Sequence, residues 1–487
     1  MSSPDIPGDG PVPDTFLNYP ADPVTFFPEP LPEIEPISYL VQGNAPGVAM
    51  EQNSRYQGIT EAIGANVEFI FGGIGDAYRS KFTTLIASGD LPDLMMMQSV
   101  SQMPQMLESQ FVDLTDRLSG DGVTQYKGLA SKPTESWNTP LLNGRLWGVP
   151  MPLIPAANII SYRPDLTESM GVPKPEFGDV EDFEDLLKEL SRPQEGKFAL
   201  GGDPSSWMVG IMQQMYKAPN GWSKEGDRFV SAYESEEYAS AVESVKRMWS
   251  AGVFHPNSFS EPGNYNVWFK GGVVSVYTQN FSGWSYYAQN NPFPIDSMHP
   301  VSFDGSQYEG FQGGAGFGGY VGISKGASEE RIDELLRVLD FMAAPFGSKE
   351  FLLNYYGQEG DNYEIDANGN PVGNKRAVDE YIAGFTYMGV PYAAQLYTPG
   401  MEDVTTAQAD YLAKYQPHVK PSPITGLYSE TAVSDGAPAG IKLTDAIRDI
   451  IQDRRPMASL ADAVAEWKAD AGDKIAEEYQ AAEQAAG

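Results

Sequence analysis

The residues best placed to do chemistry in this chain are aromatic rings set beside glycine, asparagine and serine. Leu146-Trp147-Gly148, Ser206-Trp207-Met208, Asn280-Phe281-Ser282-Gly283-Trp284 and Tyr355-Tyr356-Gly357 stand off any amphipathic stripe. A flat ring with amides and hydroxyls around it suits a pyranose, whose C–H face is apolar and whose rim is hydroxylated. Any one of these rings can equally pack a core or a loop. The reading therefore rests on the set: with 8 Trp, 26 Tyr and 23 Phe, some share in a carbohydrate cleft is expected.

Covalent and metal chemistry has little to work with. Cysteine is absent, which removes disulfides, thiolate zinc sites and thiol nucleophiles. His255, His299 and His418 lie far apart, with no HExxH spacing and no recognisable triad setting. Gly314 to Gly319 fits GxGxxG by letter, but a polar loop precedes it and a strand-like run follows, the reverse of a dinucleotide site. Asp366, Asn368 and Asn370 have the spacing of a calcium loop. Pro371 replaces the required glycine and Ala377 the bidentate glutamate, so a β-turn around Asn368-Gly369 is expected instead. No cofactor and no metal are expected. A glycosidase pair has no sequence signature, because its mark is a distance in space.

The charge balance narrows the partners. There are 32 Lys plus Arg against 66 Asp plus Glu, a formal net charge of -34. Such a field repels phosphate backbones and anionic lipid, so nucleic acid is not an expected partner. The 487 residues suggest two large domains or three ordinary ones, and no run approaches the ~18 apolar residues of a spanning helix. Residues 1–36 hold ten Pro, seven Asp or Glu and no Lys or Arg. They read as a disordered or extended tether in front of a folded body. The first residues lack the charged and apolar regions of a signal peptide, which with the tether points to the mature form of an anchored protein.

The elements that must position the rings alternate between strand-like and helix-like. Ile37–Val41, Val67–Phe71, Leu94–Met97, Val273–Thr278 and Tyr320–Ser324 read as strands. Tyr78–Ile86 reads as a helix. Phe183, Leu186, Leu187 and Leu190 make a helical stripe, as do Ile332, Leu335, Leu336, Leu339 and Met342. The alternation argues for α/β sheets covered by helices.

A series of short motifs, in order, resembles the sugar-binding extracellular solute-binding proteins of ABC importers. Ala87-Ser-Gly-Asp-Leu-Pro-Asp-Leu94 is similar to that family's helix end, turn and strand. Asn143-Gly-Arg-Leu-Trp-Gly-Val-Pro150 is similar to its approach to the first hinge. Tyr162-Arg-Pro-Asp-Leu166 with Gly171-Val-Pro173, Trp268-Phe-Lys-Gly-Gly-Val273 through Gly283-Trp284, and Val321-Gly-Ile-Ser-Lys325 continue the series. Gly357-Gln-Glu-Gly-Asp-Asn-Tyr363 resembles the subgroup of large lipoproteins for complex oligosaccharides. Arg163 and the Gly272-Val273 pair depart from the usual residues, which leaves the substrate open.

The resemblance implies an α/β, two-lobed periplasmic-binding-protein-like fold of the class II type, joined by a multi-strand hinge. Lobe 1 is expected at 37–155 plus 318–360, and lobe 2 at 156–317 plus 361–487. Carried over by position, Met97, Gln98 and Ser99 line lobe 1, and Trp284 is the stacking platform of lobe 2 with Asn280 and Trp207 nearby. Trp147 stands near the first crossing, Gly314 at the second, Tyr428 near a C-terminal ring and Asn44 at the end of the first strand. The implied function is non-catalytic: capture of an oligosaccharide between the lobes and delivery to membrane ABC permease subunits. The implied state is a monomer, extracellular or periplasmic, anchored as a lipoprotein. The alternatives are a non-sugar ligand such as a peptide, and a secreted glycoside-active enzyme.

Overall fold

The computed structural model describes residues 3–151, 158–311, 319–391 and 394–486. Eight strands build its two main sheets: β1 (Ile37–Val41), β2 (Val67–Phe71), β3 (Leu94–Met96), β4 (Val149–Pro150), β5 (Asn158–Tyr162), β6 (Val276–Asn280), β7 (Asp296–Met298) and β8 (Tyr320–Ile323). The helices that matter below are α1 (Ser54–Ile63), α2 (Asp76–Ser88), α3 (Met103–Gln110), α4 (Ser282–Asn290), α5 (Glu329–Met342) and α6 (Glu402–Tyr415).

The first sheet has the order β2-β1-β3-β8-β4. β1 pairs in parallel with β2, from Ile37 opposite Val67 to Val41 opposite Phe71, and with β3 on its other side. β8 runs antiparallel to β3 and β4. β1 and β3 are buried almost throughout, which explains their near-continuous apolar sequence. α1 carries the chain from β1 to β2 and stops at Gly64, whose φ of 67° is the left-handed cap glycine permits. A β-carbon there would meet the Pro32 carbonyl oxygen at 2.5 Å, a second reason for glycine.

The second sheet has the order β6-β5-β7, both pairs antiparallel. Beside it, the segment 198–200 runs parallel to the chain entering β6 through the bridge Phe198–Val274, and on another side Leu200 bridges Phe254 in parallel. The strand expected at Val273–Thr278 is centred two to three residues later, at β6.

Two separate hydrophobic cores result. One holds Ile37, Tyr39, Phe82, Leu94, Val321 and Leu335, and also Ile382, Phe385, Met388 and Val390. The other holds Ile159, Phe183, Val242, Phe269, Trp284, Tyr411, Ile447 and Trp467. The expected change of lobe at 361 is therefore corrected. Residues 363–390 belong with lobe 1, because their apolar side chains fill its core and Phe385 meets Phe69 edge-on at 5.0 Å.

The expected disordered tether is also corrected. Tyr19 is 2% exposed. Its hydroxyl donates to the Ser348 carbonyl and accepts from the Gly347 N–H, and its own N–H donates to Asn370. Phe16, Phe27, Leu31 and Ile34 also pack on the first core. Proline-rich chain has few N–H groups to satisfy and little backbone freedom to lose, so a handful of apolar anchors suffices to lay it down. The turn expected near Asn368-Gly369 is present, closed by the Gly369 N–H donating to the Asp366 carbonyl.

Lobe 1 also buries a lysine. The Lys132 ammonium reaches the Gly389 carbonyl, and burial pushes its pKa down to about 7 despite nearby Asp340. A lysine whose folded pKa lies below its unfolded value destabilises the fold fully below the folded pKa. That penalty fades as pH rises toward the unfolded value near 10.5. Lys132→Met should therefore raise the unfolding free energy at pH 6, read by urea titration, by an amount on the order of a few kcal/mol, less ~1 kcal/mol for the lost hydrogen bond. The gain over the parent should shrink as the titration is repeated between pH 7 and pH 10. A gain that does not depend on pH would show that the ammonium is not the cause.

Candidate functional site: the hinge-side edge of the two lobes

Strand register decides where a ligand can sit. Met151, the last residue described before the chain leaves lobe 1, donates its N–H to Gly319, and Met97 donates to Tyr320. The C-terminal end of β3 thus lies beside the crossings. β1 and β2 are parallel to β3, so Gln42-Gly43-Asn44 and Gly72-Gly73-Ile74 open on the same edge. Gly43 and Gly73 hold these two loops together by exchanging backbone hydrogen bonds of 2.8 and 3.1 Å. In lobe 2, β5 starts at Asn158 just after the crossing. β6 ends at its partner Asn280, and β7 ends at Met298 opposite Ile160. Gly201-Gly202-Asp203 and Trp207 follow the parallel segment 198–200 and share this edge. The two edges so defined are the ones that the crossings bring together.

The expected residues fare differently. Gln98 is half-buried, while Ser99 and Asn44 are exposed. Met97 is buried beneath Gly322, where a β-carbon would meet its sulfur at 2.9 Å, so it supports the edge and does not line it. Trp207 is 39% exposed, at the mouth of a recess lined by Gly201, Gly202, Asp203, Tyr265 and Thr278. The recess itself holds about 10 Å³, room for one water and no more. Asp203 accepts from the Ser205 N–H and from Arg448 Nε at 2.9 Å, which fixes the turn before Trp207. The carboxamide oxygen of Asn280 accepts from Ser282 Oγ at 2.8 Å and the Gly283 N–H at 3.0 Å, so that oxygen is occupied in shaping the start of α4.

Two of the expected rings do not present a face. Trp284 is 1% exposed and packs edge-on against Phe281 and Tyr411. Trp147 is buried in lobe 1, its Nε1 donating to the Leu142 carbonyl. Both follow short loops beside a core, and an indole there gains more by burial than by exposure. Gly314 lies outside the described residues.

Tyr428 does reach the other lobe. Its hydroxyl lies 2.6 Å from the Glu430 carboxylate and 3.1 Å from the Val100 carbonyl, and accepts from the Met103 N–H. Glu430 also accepts from the Gln102 N–H at 2.6 Å. Gln102 sits at φ 58°, a conformation unusual for a side-chain-bearing residue, at the start of α3. A carboxylate from lobe 2 thus meets the positive end of a lobe 1 helix. Burial works against the charge on Glu430, yet hydrogen bonds from Tyr428, Gln102 and Ser101 hold its pKa below the usual range. Beside this contact is a groove of about 390 Å³ lined by Gln102, Pro104, Gln105, Tyr428, Glu430 and Glu478.

Sequence reasoning missed Ile74, Gln102 and Glu430. Ile74 is 64% exposed at the end of β2, an apolar side chain offered to solvent between glycines. The run Gly72-Gly73-Ile74-Gly75 was a usable sign, since so bare a turn has no core to serve. Gln102 and Glu430 carry no local sign, because they are 328 residues apart. Among the described residues no group of His, Asp and Glu is arranged to hold a metal ion, and no helix is long and apolar enough to cross a membrane.

Comparison with known proteins agrees with this geometry. Solved structures with the same two-lobed fold include an extracellular solute-binding protein from Bifidobacterium longum subsp. infantis, with a TM-score of 0.70 and 11% identity. The match covers 95% of this chain and 99% of that one. The N-glycan transport solute binding protein NgtS from Streptococcus pneumoniae matches with a TM-score of 0.67 and 16% identity, over 93% of this chain and 99% of that one. In sequence, Lipoprotein LipO of Bacillus subtilis (strain 168) is 23% identical over 429 residues, 82% of each chain. The profile of the bacterial extracellular solute-binding proteins matches residues 55–345, and the chain belongs to that family.

The burial of Trp284 has a measurable consequence. Trp284→Ala should cost about 3–5 kcal/mol of unfolding free energy by cavity formation. Trp207→Ala should stay within about 0.5 kcal/mol of the parent. Denaturant titration of the two variants side by side checks the assignment, and the reverse order would contradict it.

Proposed function

We propose that this protein is the substrate-binding component of an ABC importer and that it captures an oligosaccharide without acidic groups between its lobes. The exposed Trp207 ring beside the Asp203 turn carries the reading, because it is the indole on the hinge-side edge that a sugar face can reach. The charge of the edge supports it. The strand-end segments 42–50, 72–75, 97–102, 201–208 and 278–290 contain amides, hydroxyls, glycines and aromatic rings, and no Lys or Arg. Arg448 reaches this edge but is held by Asp203. A uronate or sialate enclosed here would lose water without gaining a free cation, a penalty that neutral hydroxyls avoid.

The mechanism is population shift. Sugar bound to one lobe recruits hydrogen bonds from the other, such as those of Gln98, Ser99, Asn44 and Asn280, so the closed form binds it better and is enriched. The closed form is then offered to membrane permease subunits. Nothing in this cycle makes or breaks a covalent bond, and it needs neither cofactor nor metal. The protein acts as a monomer outside the cytoplasm, held at the membrane by a lipid anchor. The name of the lipoprotein relative and the family it shares support that placement.

The test is a printed panel of neutral, N-acetylated and uronic-acid oligosaccharides, with every hit re-measured by calorimetry. Neutral or N-acetylated members should bind and stay intact. Trp207→Ala should weaken them at least tenfold, the scale of about 1–3 kcal/mol for one stacked ring. Turnover of a member would make the protein an enzyme. Binding of peptides with no saccharide retained would replace the ligand class.

A further inference from the structure

Among the described residues, four buried polar atoms on one cluster of rings in lobe 2 have no protein partner. They are Trp284 Nε1, His299 Nδ1 and the hydroxyls of Tyr411 and Tyr415. Their rings form one knot. Tyr411 and Tyr415 are 4.6 Å apart, His299 lies 5.7 Å from each, and Trp284 stands edge-on to Tyr411 at 6.0 Å. Buried donors and acceptors are paired in nearly all native interiors, so four orphans in one cluster require a cause.

The position of the knot supplies one. Trp284 follows β6 by four residues and His299 follows β7 directly, both at the ends of lobe 2 nearest the crossings. Tyr415 ends α6, five residues before Lys420, whose N–H donates to Gly310 and which bridges Phe311, where the described chain stops short of the return to lobe 1. The knot therefore lies directly under the edge that faces lobe 1. We infer that it is a folded-in saccharide subsite. On binding, the Tyr411 and Tyr415 hydroxyls and His299 Nδ1 turn outward and pair with sugar hydroxyls, while Trp284 stays packed in the core. An orphaned hydroxyl gains more from a ligand than a paired one does, because no existing hydrogen bond must first be broken. This inference rests on the saccharide reading above.

Tyr411→Phe and Tyr415→Phe test it, since both keep the ring and remove only the hydroxyl. The subsite predicts two effects in opposite directions against the same oligosaccharide panel. The denaturant midpoint should stay equal or rise, because an unpaired polar atom has left the interior, and affinity should fall at least tenfold. Unchanged affinity overturns the subsite and leaves the oligosaccharide reading standing. A lowered midpoint also overturns it, for the hydroxyl was then already paired inside. If no member of the panel binds the parent protein, the saccharide reading and the subsite fall together.

A separate observation concerns the N-terminal segment. Ile6 and Val12 pack on the core of lobe 2, while Phe16 and Tyr19 pack on that of lobe 1. Between them Thr15 pairs in parallel with Leu396, the Phe16 N–H donates to Leu396, and the Leu396 N–H donates to Asp14. Leu396 belongs to the second core and neighbouring Tyr397 leans on the first, so two chain passages cross between the lobes hydrogen-bonded to each other. The structure assigns residues 5–16 as an extra hinge strand that limits opening. The chain has no cysteine, so Glu61→Cys and Glu181→Cys can carry spin labels on opposite lobes without side reactions. Adding Ile6→Asp and Val12→Asp, or deleting residues 3–14, should broaden the interlobe distance distribution toward longer values. Superimposable distributions would overturn the assignment.

Discussion

Parallel pairing of β1, β2 and β3 is the constraint on which the rest depends. Strands in parallel register end on the same edge, and their turns must then be built from residues that tolerate solvent or a guest. Because β8 runs antiparallel to β3 while β4, antiparallel to β8, runs in the same sense as β3, the chain enters and leaves lobe 1 at that same edge. The crossings and the strand ends are therefore neighbours by topology. A binding edge beside a hinge follows without any side chain being specified, in line with the general tendency of open α/β sheets to bind ligands at strand ends.

Two cores with a polar seam between them make relative motion of the lobes possible. Each lobe buries its own aliphatic stripe. Contacts across it include Glu430 and Tyr428 against the first turn of α3, and the Asn143 N–H donating to the Gly426 carbonyl. Such a contact forms and breaks at small cost compared with either core. The N-terminal passage adds a noncovalent restraint to the same motion, by packing on both cores, and it does so with proline-rich chain whose stiffness suits a strap better than a linker.

Acidity, the largest compositional feature, plays a subdued part in the site. Of the 66 acidic residues, the hinge-side edge uses Asp203 to set a turn and Glu430 to meet a helix end. The remaining charges that the structure pairs are mostly on the surface, where ion pairs contribute little. The edge is instead amide, hydroxyl and ring.

Strands β1, β2, β3 and β8 and helix α5 were legible in the sequence because each is a compact apolar run or stripe bounded by turn residues. The family was legible for a related reason: its motifs are the turns that join those elements. The solvent state of each ring was not legible. Trp147, Trp207 and Trp284 all stand beside small or polar neighbours, yet one is offered to solvent and two are interior. The sequence by itself determined the alternation of elements, the absence of thiol chemistry and the sugar-compatible composition, since these depend on residue type and local period. Tertiary structure alone decided which lobe claims residues 363–390, that the proline-rich start is laid across both lobes, and that Glu430 meets Gln102. Those outcomes depend on contacts between residues hundreds of positions apart, and no local pattern encodes a partner at that distance.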